Sequence, residues 1–329
     1  MKSLGVVAVA VAVLASLAVP SDARTRLRKP RHGFQTRVGE YTIEPGQDLE
    51  VCEYRRLSNA KAMDISRFQL RMPAGAHHFV VWRYGGTTQD DGQFPDHPFP
   101  SIGCTGAFRD DLFPQLLIPT QSPNVTLEFP RGMALHLDAR QQVWLDPHMR
   151  NFGTEPMEPD IRFNLVAAKK GTVKHHAEGL TVGNSTNIAI PPGGDQTLTV
   201  EWPAPSDITI IHLSTHQHRL GTHATIDVLS PDGASSKRLV ETVDWEHPSS
   251  DWPPGGLALA KGQKLRITCS WHNTEDHEVR FGPLTTDEMC FIIGFSYRPD
   301  ESVPLPPGEG CLPSRTGLLC PFARAVPNA

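Results

Sequence analysis

Proline and glycine recur so often along this chain that no stretch sustains a helical period: 30 prolines and 27 glycines punctuate 329 residues. The segments between them alternate polar with apolar residues or carry β-branched and aromatic ones. SRFQLRM, HHFVVWRY, NVTLEF, QQVWL and IRFNLVA stand in the first half, and QTLTVEW, DITIIHL, HATIDVL, KLRITCS and MCFIIGFSY in the second. Short segments of period two with turn residues between them predict antiparallel strands, not βα units. The chain is longer than one hydrophobic core usually spans. The expectation is therefore an all-β protein of two antiparallel, jelly-roll-like β-sandwich domains, residues 39–170 and 171–299, dividing near Lys169–Gly171. Residues 300–329, which include PDESVPLPPGEGC, are expected to form an irregular tail.

The first 23 residues read as a secretory signal peptide: Lys2, an apolar run from Leu4 to Val19, then Ser21-Asp22-Ala23. The run is short for a membrane span and ends at a proline, and no later segment is apolar enough to cross a bilayer. A secreted or periplasmic protein without stable membrane insertion is expected. Lys2 and Asp22 cancel, so the cleaved chain keeps the formal net charge of -5, which argues against nucleic acid as a partner. The basic run RTRLRKPRH opens a stretch, 24–38, read as a flexible leader. An even set of six cysteines in an exported chain favours disulfides. Proximity in sequence suggests Cys52 with Cys104, Cys269 with Cys290 and Cys311 with Cys320.

Fifteen histidines supply the candidate chemistry. In THQHRLG, His216 and His218 are two apart, and on an extended strand such positions face the same way, so both imidazoles could reach one ion. His77 and His78 begin an apolar strand, where polar rings need partners or a metal. Adjacent strand residues face opposite ways, so joint ligation requires a bulge or the junction at Pro73-Ala74-Gly75. His148, in WLDPHMRNFG, is expected just after a strand. Met289, beside Cys290, would ordinarily fill a core, but a thioether next to two imidazoles also suits Cu(I). His175 and His176 are assigned to the surface. His97, His136, His212, His223, His247, His272 and His277 read as loop or strand-surface groups, with His212 a candidate support for the HxH pair.

Taken in order, HHFVVW at 77, PHMRN at 148, THQHRLG at 215 and EMC at 288 resemble the copper type II, ascorbate-dependent monooxygenases, the family of peptidylglycine α-hydroxylating monooxygenase and dopamine β-monooxygenase. The resemblance spans Cys52 to Cys311. It implies two copper ions per chain, one in each sandwich, facing across a cleft. His77, His78 and His148 would form an all-histidine site that delivers an electron. His216, His218 and Met289 would form the site where dioxygen meets substrate. Ascorbate or another one-electron reductant would be the co-substrate, and the reaction would hydroxylate an activated C–H bond of a small molecule or peptide.

The sequence departs from that pattern where the amidating enzyme holds its substrate's carboxylate. Ser214, Phe291 and Ile293 replace the arginine, asparagine and tyrosine, so peptide α-amidation is not expected and an apolar substrate is. Met149 replaces the tyrosine beside the third histidine. Two other readings compete: a non-catalytic secreted copper-binding protein on the same fold, and a cell-surface interaction module with incidental histidines. Hydrolase and nucleotide motifs (GxSxG, HExxH, the P-loop) are absent. Asn124 and Asn184 are formal glycosylation sequons.

Overall fold

The computed structural model describes residues 27–38, 41–73, 76–83, 99–100, 115–282, 284–301, 311, 318–321 and 323–327, without the side chains of Cys52, Ala76, His77, Phe99, Pro100 and Leu319. The expected signal peptide, the expected Cys52 to Cys104 pairing, His97 and the side chain of His77 lie outside the described residues.

Ten strands precede residue 170: β1 Gly33–Val38, β2 Asp48–Arg56, β3 Met63–Arg71, β4 Ala76–Arg83, β5 Phe99–Pro100, β6 Gln115–Thr120, β7 Asn124–Glu128, β8 Met133–Leu137, β9 Gln142–Arg150 and β10 Ile161–Ala167. Thirteen follow it: β11 His175–Gly183, β12 Ala189–Ile190, β13 Asp195–Pro203, β14 Ile208–His216, β15 Gly221–Leu229, β16 Ser236–Thr242, β17 Ser250–Asp251, β18 Leu257–Leu259, β19 Lys264–His272, β20 Val279–Arg280, β21 Phe291–Tyr297, β22 Leu318–Cys320 and β23 Arg324–Val326. The described residues hold no helix, and none that could cross a membrane. The protein is all-β.

Alternation drives the strands. In KLRITCSWH, Leu265, Ile267, Cys269 and Trp271 are buried while their neighbours are partly open. Burying each such apolar side chain is worth about 1.5–3 kcal/mol. An eleven-stranded sheet runs in the order β1-β10-β3-β8-β11-β21-β14-β17, with β7 on β3, β18 on β14 and β22 on β11. The β5-β2-β9-β4-β6 sheet packs on the first part of it around Phe68, Phe79, Leu145 and Phe163. The β16-β15-β19-β13-β23 sheet packs on the second part around Trp202, Leu213, Ile267 and Trp271. Two jelly-roll-like sandwiches result, sharing one long sheet.

The join is the parallel pairing of β11 with β8, His175 to Met133 through Ala177 to Leu135. Ala177, Ile211 and Phe295 from the second half complete the first half's core, with the Phe129 and Phe295 rings edge-on at 5.1 Å. β11 also runs against β6. A Cβ at Gly179 would fall 2.0 Å from the Leu116 carbonyl oxygen, so only glycine allows this approach.

Three expectations change. Residues 33–38 are not part of a flexible leader: they form β1 on β10, because Thr36 and Val38 bury alternate side chains and Gln35 Nε2 donates to Asn164 Oδ1 at 2.9 Å. The basic residues around it hid this alternation. The tail is tied by Cys311–Cys320, and two of its segments also add strands, β22 beside β11 and β23 beside β13. Of the sequons, Asn124 is exposed, whereas Asn184 is buried and donates to the Ala323 carbonyl at 3.0 Å. Cys269–Cys290 is bridged.

Candidate metal centre

His78 and His148 are direct cross-strand partners on β4 and β9. Their neighbours Phe79, Leu145 and Met149 fill the first half's core, so by strand alternation the two imidazoles face away from it. The β4–β9 register slips by one residue between Ala76 and His78, a bulge at the HH pair. His148 lies within β9 and not after a strand, and it is buried. The two ring centroids are 4.9 Å apart.

Carboxylates surround this pair, which is not what an all-histidine site would show. His148 Nε2 is 2.5 Å from Asp48 Oδ1, and His78 Nε2 is 3.7 Å from Glu50 Oε1. Glu50, His78 and Asp146 bring ligand atoms within 4.8 Å of one another. Burial pushes the Glu50 carboxyl up to about 7, and burial beside Glu50 pushes Asp146 well above the carboxylate range. Trp82 Nε1 donates to Asp146 Oδ2 at 3.2 Å. For Asp48 burial acts upward, but hydrogen bonds from His148 and Thr285 outweigh it and hold the group low.

His216 ends β14 and His218 stands in the turn beyond it, so the pair does not share one extended strand. The rings still meet edge-on, 5.2 Å between centroids. Gln121 fixes the first ring. Its Nε2 donates to the Thr215 carbonyl at 3.0 Å, which turns its Oε1 toward His216 Nδ1 at 2.8 Å. A carbonyl oxygen only accepts, so His216 carries its proton on Nδ1 and its lone pair on Nε2. His218 Nδ1 lies 3.1 Å from the Asp287 carbonyl, and the same reasoning leaves Nε2 as its lone-pair atom. Burial, then the neighbouring His216, pushes His218 down to about 3, so the ring is neutral, as a metal ligand must be.

Glu288 clamps the turn to the methionine segment. Its carboxylate accepts from His218 N at 3.0 Å, Leu220 N at 2.7 Å, Trp271 Nε1 at 2.8 Å and Met289 N at 3.3 Å. Half-buried Met289 is thus held by the same carboxylate as His218.

The two sets converge. His78 and His216 ring centroids are 6.2 Å apart, so His148, His78, His216 and His218 form one chain of rings across the seam between the halves. Thr285 Oγ1, from the second half, donates to Asp48 Oδ2 at 2.5 Å. In place of histidines separated across a cleft, His78 and His148 lie in near contact with His216 and His218, because the shared sheet fixes both halves. Four imidazoles with flanking carboxylates, the His218 ring neutral among them, are groups that can ligate copper in either oxidation state.

Other expectations fare differently. Ser214 Oγ donates to the Ser249 carbonyl at 2.9 Å, and Phe291 is buried, so neither offers a carboxylate a charged partner. His212 does not support the HxH pair. It packs on Trp252 at 4.4 Å in apolar surroundings, and burial pushes it down to about 4. His175 stacks on Tyr297 at 4.6 Å. Gln121, Asp48, Glu50, Asp146 and Glu288 were not picked out from sequence.

No protein-family model matches the chain, and no curated protein matches it. Similar solved structures include that of Sulfolobus turreted icosahedral virus, at 7% identity, TM-score 0.20 and 81% of this chain, which spans 60% of that one. The PBSX exported protein XepA is 9% identical with TM-score 0.20, over 73% of this chain and 86% of that one. The Macrobrachium rosenbergii nodavirus structure is 10% identical with TM-score 0.19, over 91% and 98%. Scores this low carry no functional argument.

Proposed function

We propose that this chain is an exported copper-dependent monooxygenase with a two-ion centre at the seam between its sandwiches. The observation that carries the reading is the convergence of four imidazoles, from motifs far apart in sequence, with centroid separations of 4.9, 6.2 and 5.2 Å. Bound copper, with ascorbate or another one-electron donor, would supply the electrons for placing one oxygen atom of dioxygen into a C–H bond. The protein's own part is ligand preparation: the Gln121 amide oxygen and the Asp287 carbonyl accept from Nδ1 of His216 and His218 and so orient the two rings. Ser214, Phe291 and Ile293, lacking cationic groups, favour an apolar small molecule or peptide over a carboxylate.

A second reading, a copper-holding protein without catalysis, is favoured by the burial of His78, His148 and His218, which leaves His216 and Met289 as the more open ligands. Copper content after loading and desalting tests both readings. About two ions per chain, falling to about one in His216→Ala/His218→Ala, supports the paired centre. No copper in the folded protein would overturn both. Reductant-dependent oxygen uptake that rises with an added substrate and disappears in Met289→Ala then separates enzyme from carrier.

A further inference from the structure

A second cluster of metal-binding groups lies away from the four-ring array, on the face of the long sheet opposite the first half's core. Asp64 on β3, His136 on β8 and His176 on β11 bring one ligand atom each within 4.8 Å of one another. Their neighbours Met63, Ile65, Leu135, Leu137 and Ala177 pack into or against the core, so alternation sends these three side chains out from the other face. The register explains the meeting: Asp64 sits opposite His136, and His176 sits opposite Ala134, one same-face step away.

The arrangement is ordered about Asp64. His136 Nδ1 lies 2.8 Å and His176 Nε2 3.3 Å from Asp64 Oδ1. A tetrahedral zinc with bonds of about 2.0 Å has ligand atoms about 3.3 Å apart, so little movement is needed. Each ring's other nitrogen faces an outer carboxylate. His176 Nδ1 is 3.0 Å from Glu301 Oε2, and the Glu301 carboxylate also accepts from His176 N at 2.7 Å. His136 Nε2 is 3.7 Å from Asp138 Oδ1, an acid it shares with Arg83. A carboxylate behind an imidazole fixes the tautomer and raises the basicity of the ligating nitrogen. One such hydrogen-bonded pair, His176 with Glu301, and a second acid 3.7 Å behind His136, both turned on one central carboxylate, are more than a surface hydrogen-bond chain requires. The side chains of Asp64, His136, His176 and Glu301 are 33–39% exposed, so an ion can reach them.

We propose that Asp64, His136 and His176 form a binding site for one borderline divalent cation of the zinc type, with Glu301 and Asp138 as outer supports. Asp64 and His136 come from the first half and His176 and Glu301 from the second, so the ion acts as a clasp across the β8–β11 join. The site stands independently of the copper reading, since it shares no residue with it.

The test is zinc binding and thermal unfolding of the full chain, beside His136→Gln/His176→Gln. The expected result is one fewer zinc per chain in the variant, and a zinc-dependent rise in the unfolding midpoint that the variant loses. Equal zinc stoichiometry and affinity in both proteins would overturn the site. Zinc binding that differs by one ion without any zinc-dependent midpoint difference would overturn the clasp. Should the double variant not fold, Glu301→Gln serves: it leaves the three ligands in place and should weaken zinc affinity about tenfold. Unchanged affinity there would remove the outer support from the proposal, and unchanged affinity in Asp64→Asn as well would remove the site.

Discussion

At the scale of single residues, the proposed centre depends on side chains that carry no motif. Gln121 reaches His216 from 95 positions earlier in the chain, and its two polar atoms divide their work between ring and backbone. Gln121→Ala should lower copper affinity at the HxH ligands about ten- to a hundredfold while leaving the His78 and His148 ligands loaded, read by competition against a copper chelator. Equal affinity would mean that the ring needs no such orientation. The HH and HxH pairs could be picked out as candidates because their spacing is local, whereas Met289 took its place as a ligand only through the family resemblance. Gln121, Glu288, Asp48, Glu50 and Asp146 were not, because strand pairing brings them to the histidines and nothing in their flanking sequence marks them. His136 and His176 were assigned to the surface, which their partial exposure matches. Their partnership with Asp64 arises only from the register of three strands.

At the scale of elements, pairing across strands sets the acid response. Glu201 on β13 faces Arg266 on β19, and it accepts from Lys264 Nζ at 2.9 Å and Arg266 Nε at 3.0 Å. Burial acts upward on its carboxyl, but these hydrogen bonds outweigh it and hold the group below its ordinary 4.5. A native carboxyl that is harder to protonate than the unfolded one contributes stability above about pH 4.5, lost as pH falls through the depressed native value. Glu201→Gln should therefore be less stable than wild type at neutral pH, and the gap should narrow below about pH 4.5 and close as pH falls through the depressed native value. A gap constant with pH, measured by denaturant unfolding, would show that the ion pairs are silent. The strands with clear alternation, such as β19, could be read directly from sequence. β12, β17 and β20 have two residues each, too few for a period, and β1 was obscured by the basic run before it and by Arg37 between its buried positions.

At the scale of the whole molecule, the continuous sheet makes the two sandwiches one unit. Gly179 permits the contact of β11 with β6, so Gly179→Ala should push these strands apart and cost about 1–3 kcal/mol. Wild type should unfold in one calorimetric transition, and the alanine variant should unfold at lower temperature with broadening or splitting of that transition. Two separate transitions in the wild type would contradict the shared core. That two sandwiches would form was legible from length and alternation. That they would fuse through a parallel pair was not, because the segment joining them, Glu178 and Gly179 included, carries no apolar run long enough to mark it as central.

The fused core also sets the order in which the chain can finish folding. Ile211 and Phe295 complete the first half's interior, yet they lie 44 and 128 residues after Ala167, the last residue of β10. A chain emerging from its N-terminus has the first sandwich's strands in hand long before the residues that close its interior, and the β8 edge waits open for β11. Final consolidation must follow synthesis of β21, and until then the nascent protein exposes an unpaired strand edge and an incomplete apolar interior that chaperones would have to shield.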